Sequence, residues 1–372
     1  MKTMDSRPPR QGNAMNCARI TPLIAALLAA GAGTASAQNF GPWGDPQSVV
    51  AINTAAAEGC PIESPDGLAL YFASSRAGGL GKQDIWRAFR ATLQSAWGGA
   101  ENLAAPVNSG EFDYCPTPLP GNQLLFVSSV QVDNAHTTAT YFDCYAGDTP
   151  PPPPTGGPSA GDIFLSTEGA ANVWATPANL GCYPNGPNTA GAEFSPSLVT
   201  TAEGTFLFFS SNGYPDSQGQ DIYTSQRAND GSFGPGVRLA ELSTAADDRM
   251  PSVRSDGLEI VFSSNRAGGT AFDQDIYVAN RLNTHSQWSA PVRINNLNIN
   301  TTASETRSSL SADGTRLYFG RKLDINDPGD VFVATRAAIA AAAQPAPSLA
   351  WPMLLLLAAL LGAFAWRRSR AM

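Results

Sequence analysis

Histidine is nearly missing from this chain of 372 residues: only His136 and His285 occur. With only these two histidines in the chain, Ser-His-Asp chemistry has little support. Cysteine is scarce as well, five in all, and no C-x-x-C pair exists to build a zinc cluster. Apolar residues at a sustained 3.6-residue period are absent from the repeated segments, which argues against helices there. Basic residues are thin in the body: without residues 1–37 and 345–372 there remain 16 basic and 30 acidic residues, a net charge near −14. That balance lacks the basic face a phosphate backbone needs, so no nucleic-acid partner is expected. It suits cation binding or plain solubility.

Glycine (35) and proline (29) are plentiful, and 43% of residues are hydrophobic. The chain can therefore bury a core while turning often, as short strands require.

Both ends read as address signals. Arg7, Arg10 and Arg19 precede the apolar stretch "ITPLIAALLAAGAG", and "TASAQ" follows with small residues at Ala35 and Ala37. This predicts a secretory signal peptide over residues 1–37, starting from either Met1 or Met15. Cys17 lies before the apolar run and is not a lipoprotein cysteine. At the other end, an Ala/Pro linker over residues 337–348 leads to the 18-residue apolar run Leu349–Trp366 and then "RRSR". Residues 349–372 thus read as a transmembrane or sorting tail with its basic end in the cytoplasm. The tail resembles the bacterial sorting tags of the PEP-CTERM and IPTL-CTERM type, in which a membrane protease cuts it. A permanent anchor is the other reading. In both, the protein is exported to the periplasm, outer envelope or cell surface, with membrane contact through the C-terminal helix.

Between the ends the chain repeats itself with a period of roughly 55 residues. Each unit opens with an acidic residue three before a proline: Glu58, Asp113, Glu193 and Asp248, with Glu305 followed by Ser308 instead. A turn and an apolar strand come next, as in "PDGLALYFASS" and "SDGLEIVFSS". Then comes a strand that starts with aspartate: Asp84, Asp162, Asp221, Asp275 and Asp330. A short strand after Trp97, Trp174, Phe233 or Trp288 ends the unit. Asp-Gly turns and β-branched or aromatic runs make each unit a four-stranded antiparallel meander. One such meander leaves both faces bare, and radial stacking covers them.

The fifth unit lacks its last part, and the mature N-terminus supplies it. "PWGDPQSVVAINTAAAE" aligns with "QWSAPVRINNLNINTTASE", placing Trp43 on Trp288 and Glu58 on Glu305. The expected architecture is all-β: a five-bladed β-propeller over residues 38–336, its ring closed by the N-terminal strand, which leaves no free edge to pair with strangers. A monomer is expected. The units resemble the WD40-like propeller repeats of the TolB type, written around "SPDGxxIxFxSxRxGxxDIY". Blade 2 departs from the pattern through an insertion over residues 131–158, Pro-rich and extended. Blade 3 lacks the arginine found at Arg76 and Arg266.

The carboxylates Glu58, Asp113, Glu193, Asp248 and Glu305 are expected as an acidic ring beside the central channel, on the face shared by the B–C and D–A loops. They are ligand-binding candidates, for a cation, a sugar, or glycoside cleavage by a carboxylate pair. Their presence in every blade also reads as architecture, each accepting hydrogen bonds from loop amides or from an arginine of a neighbouring blade. The aspartates that open strand C read as turn caps, and the recurring tryptophans as packing between blades. "DINDPGD" offers Asp324, Asn326, Asp327 and Asp330 as a candidate Ca²⁺ site without EF-hand spacing; no other cofactor is implied. Export permits disulfides, and Cys144–Cys182 and Cys60–Cys115 are the expected pairs.

No residue set is singled out as catalytic. The expected function is a non-enzymatic binding or interaction module that takes a protein or glycan partner on the loop face, because the TolB-type resemblance implies partner scaffolding. The alternative is a carbohydrate-active hydrolase with carboxylates at the channel mouth.

Overall fold

The computed structural model describes residues 39–129, 144, 161–268 and 273–339. Its strands form five antiparallel blades around an axis, each with an innermost strand A and an outermost strand D. In blade 1 strands A to D are Glu58–Glu63, Ala69–Ser74, Asp84–Phe89 and Glu101–Asn102. Blade 2 has Asp113–Leu119, Gln123–Ser128, a longer strand C at Asp162–Ala170, and Ala178–Asn179. Blade 3 has Glu193–Thr201, Gly204–Ser211, Asp221–Gln226 and Val237–Arg238. Blade 4 has Asp248–Val253, Glu259–Ser264, Asp275–Asn280 and Val292–Arg293.

Blade 5 takes its first three strands from Ser304–Leu310, Arg316–Lys322 and Asp330–Thr335, and its fourth from Gln47–Ser48. Gln47 pairs with Val333 and Ser48 with Phe332, the closure expected from the permuted repeat. A further pair, Asn39–Phe40 with Ala338–Ile339, ties the two ends of the ring together.

Every blade sets an aromatic of strand B against one of strand C: Phe72 on Trp86, Phe126 on Phe164, Phe209 on Tyr223, Phe262 on Tyr277 and Phe319 on Phe332. Four of these pairs hold their ring centroids 6.0 Å apart. The apolar clusters run between consecutive blades, so a blade finds its core in its neighbour. Losing one such ring, as in Phe262→Ala, costs about 3–5 kcal/mol. A domain retains only about 5–15 kcal/mol in all, so blades cannot be removed singly.

The A–B hairpins need left-handed backbone. Gly67, Gly121, Gly257 and Gly314 supply it at φ 72°, 78°, 74° and 70°, with Asn122 of blade 2 also left-handed at φ 58°.

Among the described residues no helix is long and apolar enough to cross a membrane. The expected signal peptide, the blade 2 insertion apart from Cys144, and the C-terminal tail lie outside the described residues.

Removing residues 38–48 strips strand D from blade 5 and bares the edge at Asp330–Thr335. The thermal midpoint is expected to fall by on the order of 10 °C, and gel filtration should show self-association through the open edge. An unchanged melt and a monomeric profile would contradict closure by this strand.

Candidate functional site

Register places the candidate carboxylates. Glu58 pairs with Ser74, which pairs with Asp84, and the same row recurs in the other blades, with Arg321 in the serine's place in blade 5. Strand A therefore begins, strand B ends and strand C begins at one edge, the face of the B–C and D–A loops. The amide of each opening residue donates to the neighbouring blade: Glu58 to the carbonyl of Gly329, Asp113 to Gln83, Glu193 to Gly161, Asp248 to Gln220 and Glu305 to Gln274.

All five carboxylates are buried, at 0–3% exposure, so the ring exists but lies beneath the surface. Four residues before each stands a hydroxyl residue, Thr54, Ser109, Thr189, Thr244 or Thr301. Its backbone amide and hydroxyl both donate to the carboxylate. Ser74, Ser128, Ser211 and Ser264 of strand B add a second hydroxyl. These strand B serines are thus hydrogen-bond donors to the buried acids. The N-[ST]-x-x-x-[DE] spacing, visible at Asn53, Asn108, Asn188 and Asn300, signals this roof in the sequence.

The blades then part company. Arg76 bonds Glu58 at 3.0 Å, Arg266 bonds Asp248 at 2.6 Å and Arg321 bonds Glu305 at 2.9 Å. Each arginine belongs to the same blade as its carboxylate, not to a neighbour as the sequence suggested, because strand B hands it back across the A–B pair. In blade 3 the arginine's place is taken by Gly213, packed so close to Thr189 that an added Cβ would sit 1.9 Å from its hydroxyl. Among the described residues no guanidinium reaches Asp113 or Glu193. Burial pushes the Asp113 carboxyl up to about 6, with hydrogen bonds from Ser128 and Ser109 pulling back. Burial, then the charge of Asp162, pushes Glu193 up to about 8. Burial also raises Glu305, while Thr301 and Arg321 pull it down.

Two residues inside each carboxylate, strand A bulges. Cys60, Cys115, Ser195, Met250 and Arg307 occupy this slot, all at φ between 45° and 59°. The register skips there in every blade, and a proline or Ser308 follows where the ladder needs no N–H. These residues point the blades' differences at the axis. Cys60 and Cys115 are joined with Cα atoms 4.8 Å apart, and Ser195 donates to the Cys115 sulfur at 3.3 Å. Arg307 lies over Gly59, whose missing side chain makes room for the guanidinium. Among the described residues Arg307 has no ion-pair partner, and burial lowers its pKa. The channel between the five strands encloses only about 20 Å³. It holds a water-sized object at most, so any substrate meets the mouth rather than a tunnel.

The other predicted residues fall as follows. Cys144 is bonded to Cys182, and the Cys144 amide donates to Asp162. Asp84 and Asp221 cap their B–C loops by accepting amides, as expected. Asp324 and Asp327 spend their oxygens on backbone amides of their own turn, and Asp330 is exposed. Among the described residues only Cys144, Asp162 and Cys182 bring three potential ligand atoms within 4.8 Å, and two of those are in a disulfide. Asp324, Asn326 and Asp327 share one turn with Asp330 after it, and among the described residues no three His, Cys, Asp or Glu ligand atoms gather there.

No family model matches the chain, and no curated protein matches it. Among solved structures, it is similar to an α-L-arabinofuranosidase from Lactobacillus brevis, with 14% identity and a TM-score of 0.50 over 78% of this chain and 94% of that one. A thermostable family-43 glycoside hydrolase matches at 13% identity and a TM-score of 0.47, over 79% and 96% of the two chains. A putative TolB from Agrobacterium tumefaciens matches at 17% identity and a TM-score of 0.41, over 78% and 81%. At such identities the likeness is one of fold. The expectation of a non-enzymatic interaction module, drawn from the TolB-type repeat, is therefore withdrawn, because the same fold is found in an α-L-arabinofuranosidase.

Proposed function

We propose that this chain is an exported, carbohydrate-active hydrolase working at the loop face, with Glu193 as proton donor and Asp113 as base or nucleophile. One observation carries the reading. Of five carboxylates built alike, three are neutralised by a guanidinium and these two, in adjacent blades, have none among the described residues. Glycoside cleavage needs two carboxyls in unlike environments, one to protonate the leaving oxygen and one to activate water or attack the anomeric carbon. With a pKa near 8, Glu193 keeps its proton at neutral pH, as the acid must. Asp113, near 6, is ionised there, as the base must be. Both lie under the D–A loop, so substrate reaches them only when the roof residues Ser109 and Thr189 lift. The solved hydrolases of like fold supply the substrate class, a glycan. Two disulfides suit an oxidising compartment outside the cytoplasm.

Activity of the body (residues 38–348) on aryl α-L-arabinofuranosides, aryl β-xylosides and arabinoxylan tests this. Glu193→Gln and Asp113→Asn are each expected to lower kcat about 10²–10⁴-fold. The kcat/KM profile should fall below pH about 6 and above about 8. Undiminished turnover in both variants would remove these residues from the mechanism.

The same pKa shift has a consequence for stability. Unfolded, Glu193 loses its proton near 4.5; folded, it keeps it to about 8. The native state thus binds more protons between those values, and stability falls as pH rises through them. Glu193→Gln cannot ionise and should escape that loss. Urea unfolding should find the variant gaining on wild type by on the order of a few kcal/mol between pH 5 and 8.5. Parallel curves would show that Glu193 is ionised in the fold.

A further inference from the structure

The opposite face, where the A–B hairpins and C–D turns lie, carries a groove of about 620 Å³ between blades 1 and 2. That volume falls within the range of about 300–1,000 Å³ usual for small-ligand sites. We infer that this groove is a second saccharide site, separate from the loop face, for a short neutral glycan segment. It shares the carbohydrate-directed reading but not its residues.

The groove exists because blade 2 breaks the repeat at a single slot. Six residues after the aspartate of strand C stand Arg90, Arg227, Arg281 and Arg336 in blades 1, 3, 4 and 5; blade 2 has Glu168. Arg90, Arg281 and Arg336 each donate to their own A–B turn, at the carbonyls of Gly67, Gly257 and Gly314. Each also covers the aromatic before strand D, with 4.1–4.3 Å to Trp97, Trp288 and Trp43. Glu168 does neither. It turns to blade 1 and accepts from Arg87 at 2.7 Å, leaving Trp174 without a cation over its ring. Arg87 is equally singular, since the other blades place Leu165, Thr224, Val278 and Val333 at its slot. The longer strand C of blade 2 then raises a wall through Gly169 and Ala170.

The chemistry of the cleft fits a sugar. Its floor is the pair Arg87–Glu168 beside the Tyr71 ring, and Arg87 is also held by Glu101 at 2.6 Å. Two carboxylates therefore outweigh the one guanidinium, so the floor repels an anion, and the guanidinium is free for an ionic ligand only if a formed salt bridge breaks. A vicinal diol needs no such break: one hydroxyl donates to the carboxylate while its neighbour accepts from the guanidinium edge. The walls are apolar, with Phe89 47% exposed beside the proline of the blade 2 hairpin, offering a ring for the C–H face of a sugar.

Arabinotriose, xylotriose and cellotriose titrated calorimetrically into the body test the assignment. At least one is expected to bind with Kd below about 1 mM. Phe89→Ala, an exposed position that does not endanger folding, should weaken it about tenfold. Glu168→Arg, which restores the pattern of the other blades and closes the groove, should abolish it. Binding should persist in Glu193→Gln, and cleavage of a small aryl glycoside should persist in Glu168→Arg. The assignment is overturned if no trisaccharide binds, or if Phe89→Ala and Glu168→Arg bind as wild type does. Binding lost in Glu193→Gln but kept in Glu168→Arg would place the sugar at the loop face, sinking the groove while sparing the hydrolase reading.

Discussion

Everything in this ring depends on a belt of contacts around its axis. Four residues inside each carboxylate, strand A presents Ile62, Thr117, Ser197, Ser252 or Ser309. Thr117 donates to the carbonyl of Pro196 in blade 3, and Ser197 accepts the amide of Val253 in blade 4. Ser252 accepts the amide of Leu310 in blade 5, and Ser309 donates to Pro61 of blade 1 at 2.5 Å. Four junctions are thus tied by a hydroxyl. The junction of blades 1 and 2 has Ile62 in that slot, which cannot bond, and it is the junction that carries the Cys60–Cys115 disulfide. The left-handed bulge makes the belt possible, because it frees the strand A backbone to bond sideways to the next blade rather than back to strand B. Non-glycine residues hold such a conformation only under compulsion, and here the neighbouring blades supply it.

The belt explains why the acids are buried. A blade pinned at its axis by uncharged bonds still needs its D–A loop held down. A carboxylate accepting an amide and two hydroxyls does this for a six-residue turn. Burying the charge is costly unless it is matched, and Arg76, Arg266 and Arg321 match it in three blades. Blades 2 and 3 take the other solution, in which the acid drifts toward its neutral form. Five copies of one device inside one chain serve as their own controls, so a difference between copies reflects the slot rather than the fold.

Much of the architecture was legible in the sequence, because a propeller writes each blade in the same words. Repeat length, blade count and closure by Trp43 and its neighbours follow from phase, which also sets Cys60 and Cys115 in the same slot of adjacent blades; Cys144 lies in the insertion, and its pairing with Cys182 rests on the face that their two loops share. Phase does not reveal which way a side chain turns. Arg76 and Arg266 could be seen in the repeat, yet only the A–B register shows that they serve their own blade. The missing arginine of blade 3 was visible as well, but a pKa depends on burial, which a linear repeat does not record. Glu168 stood in plain view as a charge reversal. Its consequence is not legible there, because the groove it opens is formed between two blades, and a linear repeat does not record which side chains meet across them. The function reading went astray for a related reason: the repeat reports how a blade is made, and blades made alike serve both scaffolds and hydrolases.

The departures gather in one sector. Glu193 and Asp113 without guanidinium partners, the long strand C, Arg87 with Glu168, and the disulfide at Cys60–Cys115 all belong to blades 1 to 3. Blades 1, 4 and 5 keep the arginine at both the carboxylate and the A–B turn. The ion pairs given up in blades 2 and 3 would lie within a blade, so the ties between blades are made elsewhere. A covalent link between Cys60 and Cys115 makes one such tie without placing any charge at the mouth. The disulfide therefore closes the one junction where Ile62 breaks the belt of hydroxyls, and Asp113 and Glu193 follow in the next two blades, without a guanidinium among the described residues.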